Sequence, residues 1–241
     1  MTTETSISTI LLIPGHWLGA WAWDEVLEHL TSSAHRAIPL TLPGLDETDT
    51  GRLSRTLEEQ AAAIEQAAMD SSRPVVVVAH SGANAPVSLV LDRHPELFSR
   101  VIWVDSGPAA PGVAFAPDFP EDLEGLPLPP FEMLGEQASI EGLSADALER
   151  FRDRAVSEPG TVLRQVVQLT NDARFDVPTT FVCSSMPSAQ VQELVKAGHP
   201  MFAEVARLKS VHYVDLPTGH WPMWSRPADL AHIIASEASN D

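Results

Sequence analysis

The stretch Pro74-Val75-Val76-Val77-Val78-Ala79-His80-Ser81-Gly82-Ala83 decides how this chain folds. Four consecutive valines with no polar alternation predict a strand buried on both faces, as in the middle of a parallel sheet. Helical patterning begins at Gly82 and runs to Arg93. A serine therefore stands in the turn between the most buried strand and a helix. Ala79 and Ala83 are small enough to let that turn be sharp, which projects the Ser81 hydroxyl beyond the strand end. On these residues alone two readings stay open: a nucleophile, or a serine that caps the helix behind it.

Outward from this point, short apolar runs alternate with helical ones. Ser8–Ile13 and Arg36–Leu42 read as strands, the second stopped by Pro43-Gly44. A helix over Ala20–Leu30 places Trp23, Val26, Leu27 and Leu30 on one face. Thr56-Leu57-Glu58-Glu59 is a capping box ahead of Leu57, Ala61, Ile64 and Ala68 at helical spacing. Val101–Val104, Thr179–Cys183 and Val211–Leu216 are further strands. Helical patterns cover Ser144–Val156, Thr161–Thr170, roughly Ala189–Leu208, and the C-terminal stretch from about Ala228. Between Pro108 and Pro130 prolines are dense and neither period survives.

Strand–helix alternation of this kind predicts an α/β protein with a mostly parallel central sheet flanked by helices. Residues 1–107 and 177–241 form the core of a single domain. Residues 108–176 read as an insertion before the penultimate strand, resting as a lid over the carboxyl edge of the sheet, where open α/β sheets bind ligands.

The 241 residues suit one large domain, and the net charge of −18 repels nucleic acid and anionic membranes. The single cysteine, Cys183, precludes an internal disulfide and fits a reducing compartment. It ends a buried strand and reads as packing. Residues 1–9 are polar without a basic region, and Ile10–Ile13 is too short for a signal sequence. The expectation is a soluble, cytoplasmic protein with a small-molecule substrate, and a homodimer is left open. His29, His35, His94, His199, His212 and His232 lack metal-ligand spacing. No G-x-G-x-x-G follows a strand and no Walker pattern occurs, so neither a metal nor a nucleotide cofactor is expected.

The turn at Ser81 resembles the nucleophile elbow of the α/β-hydrolase family, usually G-x-S-x-G, with alanine here in place of both glycines. Gly219-His220-Trp221-Pro222, between a strand and the last helix, resembles the family's histidine loop. An imidazole suits the task, since an ordinary pKa near ~6.5 lets it accept and return a proton at neutral pH. Pro14-Gly15-His16-Trp17 resembles the loop after the first core strand that supplies an oxyanion-hole amide. By that match the backbone N–H groups of His16 and Gly82 would be the two donors. The His16 side chain, Trp17 and Trp221 would border the pocket, and His80 would be structural, facing away from Ser81.

In much of the family the acid follows the strand after the lid. Here that strand runs into Ser184-Ser185-Met186-Pro187, with no carboxylate before Glu193. A minority of the family carries the acid one strand earlier, where Val104-Asp105-Ser106-Gly107 stands. Ser81, Asp105, His220 then preserves the family's chain order, with Asp215, Asp172 and Asp176 as the other candidates and a turn-forming role as the alternative for Asp105.

The resemblance extends from Ile10 to the last helix. It implies a serine hydrolase acting through an acyl-enzyme on an ester or lactone, which the apolar loop and lid suggest is small and fairly hydrophobic. Trp221 beside the histidine counts against cyanohydrin cleavage, and a serine nucleophile against dehalogenation or epoxide opening. Cofactor-free dioxygenase chemistry, carbon–carbon bond hydrolysis, and a non-catalytic small-ligand receptor stay open as alternatives.

Overall fold

Six parallel strands carry the most apolar runs of the chain: β1 (Thr9–Ile13), β2 (Arg36–Pro39), β3 (Val75–His80), β4 (Phe98–Val104), β7 (Thr179–Cys183) and β8 (Val211–Asp215). The computed structural model describes residues 8–31, 35–72 and 74–239; the polar N-terminal stretch read above lies outside them up to residue 7. Spatial order is β2-β1-β3-β4-β7-β8, so the chain moves outward from β1 in one direction to β2 and in the other to β3. Loops leaving β1 and β3 therefore diverge to opposite sides, opening a crevice at the carboxyl edge between them.

β3 is buried along all six residues, as the unbroken valines demand. Its side chains alternate between two cores. Val75, Val77 and Ala79 face helices α2 (Leu57–Met69) and α3 (Asn84–Arg93), meeting Leu57, Ile64, Val87 and Val90. Val76 and Val78 face α1 (Asp24–Leu30) and the C-terminal α8 (Pro227–Ala238), meeting Val26, Leu30, Leu230 and Ile234. A period of two in the strand thus sorts one run of valines into two layers.

Several predicted elements are shorter than their patterns. The β2 strand ends at Pro39, three residues early. The helix expected over Ala20–Leu30 begins as a 3-10 turn, Ala20–Trp23, before α1. Helix α7 (Ser188–Lys196) stops before Gly198, whose φ is +70°, and Pro200 then prevents its resumption. Among the described residues no helix is long and apolar enough to cross a membrane.

The segment between β4 and β7 holds α4 (Phe131–Gln137), α5 (Ala145–Arg154), α6 (Gly160–Arg164) and two short antiparallel strands, β5 (Gly125–Leu126) and β6 (Glu158–Pro159). Each strand has two residues, too few to leave a period, so the absence of strand expected for 108–130 is corrected by β5. The helix expected over Thr161–Thr170 ends at Arg164 instead. Beyond it Val167 exchanges backbone hydrogen bonds with the 112–113 strip, and an extended partner outcompetes helix continuation. The segment is bound to the core through hydrogen bonds. Trp17 Nε1–H donates to the Leu126 carbonyl at 3.0 Å, Val156 N–H to the Trp17 carbonyl at 3.0 Å, and Leu57 N–H to Gln165 Oε1 at 3.0 Å.

The capping box at Thr56 forms in both directions: Glu59 N–H donates to Thr56 Oγ1 at 3.2 Å and Thr56 N–H to Glu59 Oε2 at 2.8 Å. Thr56→Ala leaves the helix donor unpaired. It is expected to lower unfolding stability by about 1 kcal/mol in urea titration while leaving Ser81 chemistry untouched.

Candidate active site

Five loops meet at the carboxyl edge of the sheet, one after each of β1, β3, β4, β7 and β8. Ser81 leaves β3 with φ +50°, and Asp105 leaves β4 with φ +44°. Together with Trp17 at +67° they are the non-glycine residues at positive φ among those described. Each such conformation costs about 1–3 kcal/mol, held here by the sheet on one side and the next element on the other. The twist aims Ser81 Oγ outward rather than along the helix, and the Ser106 hydroxyl donates to the Ser81 carbonyl at 2.9 Å, bracing the turn. Ser81 does not cap the following helix, since the turn after it has no side-chain cap.

The loop after β8 carries His220 to this point. Ser81 Oγ–H donates to His220 Nε2 at 2.8 Å, and His220 Nδ1–H donates to Asp105 Oδ2 at 2.6 Å. Three side chains up to 139 positions apart thus form one hydrogen-bonded line. Asp105 is 7% exposed and His220 16%. Burial pushes the Asp105 carboxyl up, but the hydrogen bond and charge of His220, with further bonds from Ser185, outweigh it and hold the group below the usual carboxylate range.

The loop that lacks a carboxylate after β7 serves the acid from the neighbouring strand. Ser184 and Ser185 N–H groups donate to Asp105 Oδ1 at 3.2 and 2.8 Å, and the Ser185 hydroxyl donates to Oδ2 at 2.7 Å. The other acid candidates are engaged elsewhere. Asp215 accepts from the N–H and hydroxyl of Ser188 at 2.7 and 2.8 Å, at the start of α7. Asp172 pairs with Arg207 at 2.8 Å, and Asp176 with Lys209.

His80 turns away from Ser81 Oγ, and its Nε2–H donates to the His220 carbonyl at 2.8 Å. Burial, then the proximity of His220, push its pKa down to about 3, so it stays neutral and holds the main chain of the histidine loop. From the other side, His220 N–H donates to the Ser139 carbonyl at 2.7 Å. Sequence reasoning found no sign of this second grip, because a backbone carbonyl in a loop carries no residue signature.

The β1 loop lies directly on the elbow. A Cβ on Gly15 would come 2.7 Å from Ser81 Cβ and 3.0 Å from the His80 carbonyl oxygen, so only glycine allows this approach. The N–H groups of His16 and Gly82 have no hydrogen-bond partner among the described residues. The two tryptophans expected to border the pocket are both buried beside the site. Trp221, 2% exposed, sets its ring edge-on to His220 at 4.9 Å and packs on Phe151 at 5.4 Å. Trp17, 9% exposed, is bound to Leu126 as described above. Both are buried supports, because large rings at these positions satisfy their apolar surface in the second core.

A cavity of about 310 Å³ opens beside Asp105, lined by Phe181, Met186, Val191, Phe202 and Val205 with Asn84 at its polar end. Phe115, 60% exposed, stands edge-on to the His16 ring at 4.3 Å. Neither was singled out in the sequence, since neither falls in a motif. Cys183 lies on the cavity wall with its thiol pushed up to about 12 by burial and by Asp215 and Asp105, which keeps it protonated. Among the described residues no three His, Cys, Asp or Glu side chains converge as a metal-binding group.

With this arrangement the chain belongs to the alpha/beta hydrolase family, whose profile matches residues 10–233. Methylesterase 8 of Arabidopsis thaliana is 29% identical over 252 residues, spanning 93% of this chain and 88% of that one. The pyrethroid hydrolase of Sphingobium wenxiniae is 24% identical over 253 residues, spanning 97% and 88%. The crystal structure of the Arabidopsis methylesterase MES16 shares the fold with a TM-score of 0.73 at 15% identity, covering 97% of this chain and 99% of that one. The protein is thus an alpha/beta hydrolase related to methylesterases and to a pyrethroid hydrolase.

Asp105→Asn is expected to lower kcat by about 10⁴, because the amide reverses the tautomer demanded of His220. Asp215→Asn should leave kcat unchanged and lower stability by about 1 kcal/mol through the weakened start of α7. Kinetics on both variants with a p-nitrophenyl ester decide between the carboxylates.

A further expectation follows from His80. Below pH 6.5 the unfolded chain takes up a proton that the native state refuses until about pH 3, so stability falls as pH drops through that window and is full above it. The slope is at most ~1.4 kcal/mol per pH unit for one proton. Replacing His80 with Gln should make the decline visibly shallower in urea titrations at several pH values. Equal slopes in the two proteins would argue against a buried neutral imidazole.

Proposed function

We propose that this protein is a serine esterase cleaving a small, fairly hydrophobic ester or lactone through an acyl-enzyme. The observation that carries the reading is the continuous line from Asp105 through His220 to Ser81, with contacts of 2.6 and 2.8 Å. As Ser81 Oγ attacks the carbonyl carbon, its proton moves to His220 Nε2. The carboxylate of Asp105 stabilises the imidazolium so formed and holds the ring in the required tautomer. The tetrahedral oxyanion is taken by the backbone N–H groups of His16 and Gly82. Fixed amides need no reorganisation as charge develops, and each is worth about 2.7–4 kcal/mol of barrier. His220 then returns the proton to the leaving alcohol, and water deacylates Ser81 by the same route reversed.

The exposed ring of Phe115, edge-on to His16, favours a hydrophobic substrate. The segment 108–176 serves as the lid, and its backbone bonds to the β1 and β8 loops make it part of the site's geometry. The names of the related methylesterases and pyrethroid hydrolase point to the same bond type.

A fluorophosphonate probe followed by intact-mass measurement tests the reading. Wild type should gain one adduct and Ser81→Ala none, and wild type alone should release p-nitrophenol from short-chain esters. No adduct and no release from the wild-type protein would reject the esterase and leave a ligand-binding protein in its place.

A further inference from the structure

The cavity beside Asp105 is separate from the place where Ser81 acts. Neither Ser81, His220 nor His16 lines it, and of the inserted segment only Pro108 does. Its walls are mainly apolar and come from β7, the loop after it, α7 and the turns that follow α7. Met201 belongs to the same wall and is 75% exposed, which marks the mouth. A flexible thioether at a mouth adapts to guests of differing shape.

The hollow is kept open by a choice of residue. Gly107 lines it, and a Cβ there would meet only Phe181 Cε1 at 3.4 Å and Val205 Cγ2 at 3.8 Å, ordinary contact distances. Gly107 is not among the glycines at positive φ, so its backbone does not call for glycine either. A side chain at this position would pack against two walls of the cavity, and none is present. Apolar wall left facing water gains about 25 cal/mol per Å² when a guest covers it.

The lining also fixes the chemistry of the guest. No lysine or arginine contributes to it, and its one charged group is Asp105, held ionised by His220 and Ser185. An anion is therefore repelled. A cation finds no open position on the carboxylate: Oδ1 accepts from the Ser184 and Ser185 N–H groups, and Oδ2 from the Ser185 hydroxyl and His220. At the polar end Asn84 Nδ2–H donates to the Gly107 carbonyl at 3.2 Å. The second N–H of that amide and its oxygen have no partner among the described residues. A hydroxyl, donor and acceptor at once, can meet either of them.

We propose that this cavity is a second small-molecule site, distinct from that of Ser81, which takes an uncharged, largely apolar alcohol or phenol whose hydroxyl meets the Asn84 amide. The site goes beyond the esterase reading and does not depend on it.

Equilibrium dialysis with 2-naphthol tests the site, because its fused rings are apolar and its phenolic hydroxyl stays protonated at neutral pH. Wild type should bind a single equivalent saturably, in preference to 2-methylnaphthalene and to the anion 2-naphthoate. Gly107→Leu, which fills the hollow, should weaken 2-naphthol at least about tenfold. Asn84→Leu should cut the preference over 2-methylnaphthalene by about threefold or more, the worth of one hydrogen bond. Phe115→Ala, beside His16 on the Ser81 side, should change the affinity by less than about twofold.

Absence of saturable binding overturns the inference, as does a Gly107→Leu affinity within about twofold of wild type. A loss confined to Phe115→Ala overturns it too, since the probe would then sit beside Ser81. An Asn84→Leu preference equal to that of wild type overturns the assigned hydroxyl contact and with it the ligand class. Should Gly107→Leu fail to fold, Val191→Phe fills the cavity from α7 and carries the same expectation. None of these outcomes alters the labelling of Ser81, by which the esterase reading stands or falls.

Discussion

The strained turn at Ser81 is the constraint on which the site depends. A serine at φ +50° directly after a fully buried strand can be held only if the strand cannot shift and the next loop presses back. β3 cannot shift because β1 and β4 pair with it on both sides and two separate cores grip its faces. The pressing loop is that after β1, and it comes close only because Gly15 has no side chain to meet Ser81. The strand order reverses between β1 and β3, so these two loops face each other across the crevice rather than lying side by side.

Around that turn, polar atoms are provided for one by one. Asp105 stands at the end of β4, and the loop after β7 supplies its donors through Ser184 and Ser185. A carboxylate supplied with backbone and hydroxyl donors stays ionised in a buried position, which is what a histidine partner requires. His80, kept neutral by burial, fixes the main chain of His220 rather than competing for its proton. Each of the two histidines thus has one task, and burial separates them.

The inserted segment is joined to the site by the same means. Backbone bonds between Ser139 and His220 and between Trp17 and Val156, with the contact of Glu158 to His16, tie two loops of the site, those after β1 and β8, to the segment. Such a segment bears on the site through the loops it holds.

What the sequence determined by itself was whatever rests on local pattern: the valine run of β3, the capping box at Thr56, the sharp turn at Ser81 and the Gly219-His220 loop. These are set by neighbours within a few positions, so composition and period reveal them. Asp105 was legible only through the family resemblance, which allows the acid after either of two strands, with Asp215, Asp172 and Asp176 left open; its distance to His220 came from the fold. Only the tertiary structure decided the partners of Glu158, the burial of Trp17 and Trp221, the shortening of the helices around 161–170 and 189–208, and the cavity beside Asp105. In each of these the deciding contact comes from a segment far along the chain, and a side chain's packing or pairing there depends on what else arrives, which no local spacing records.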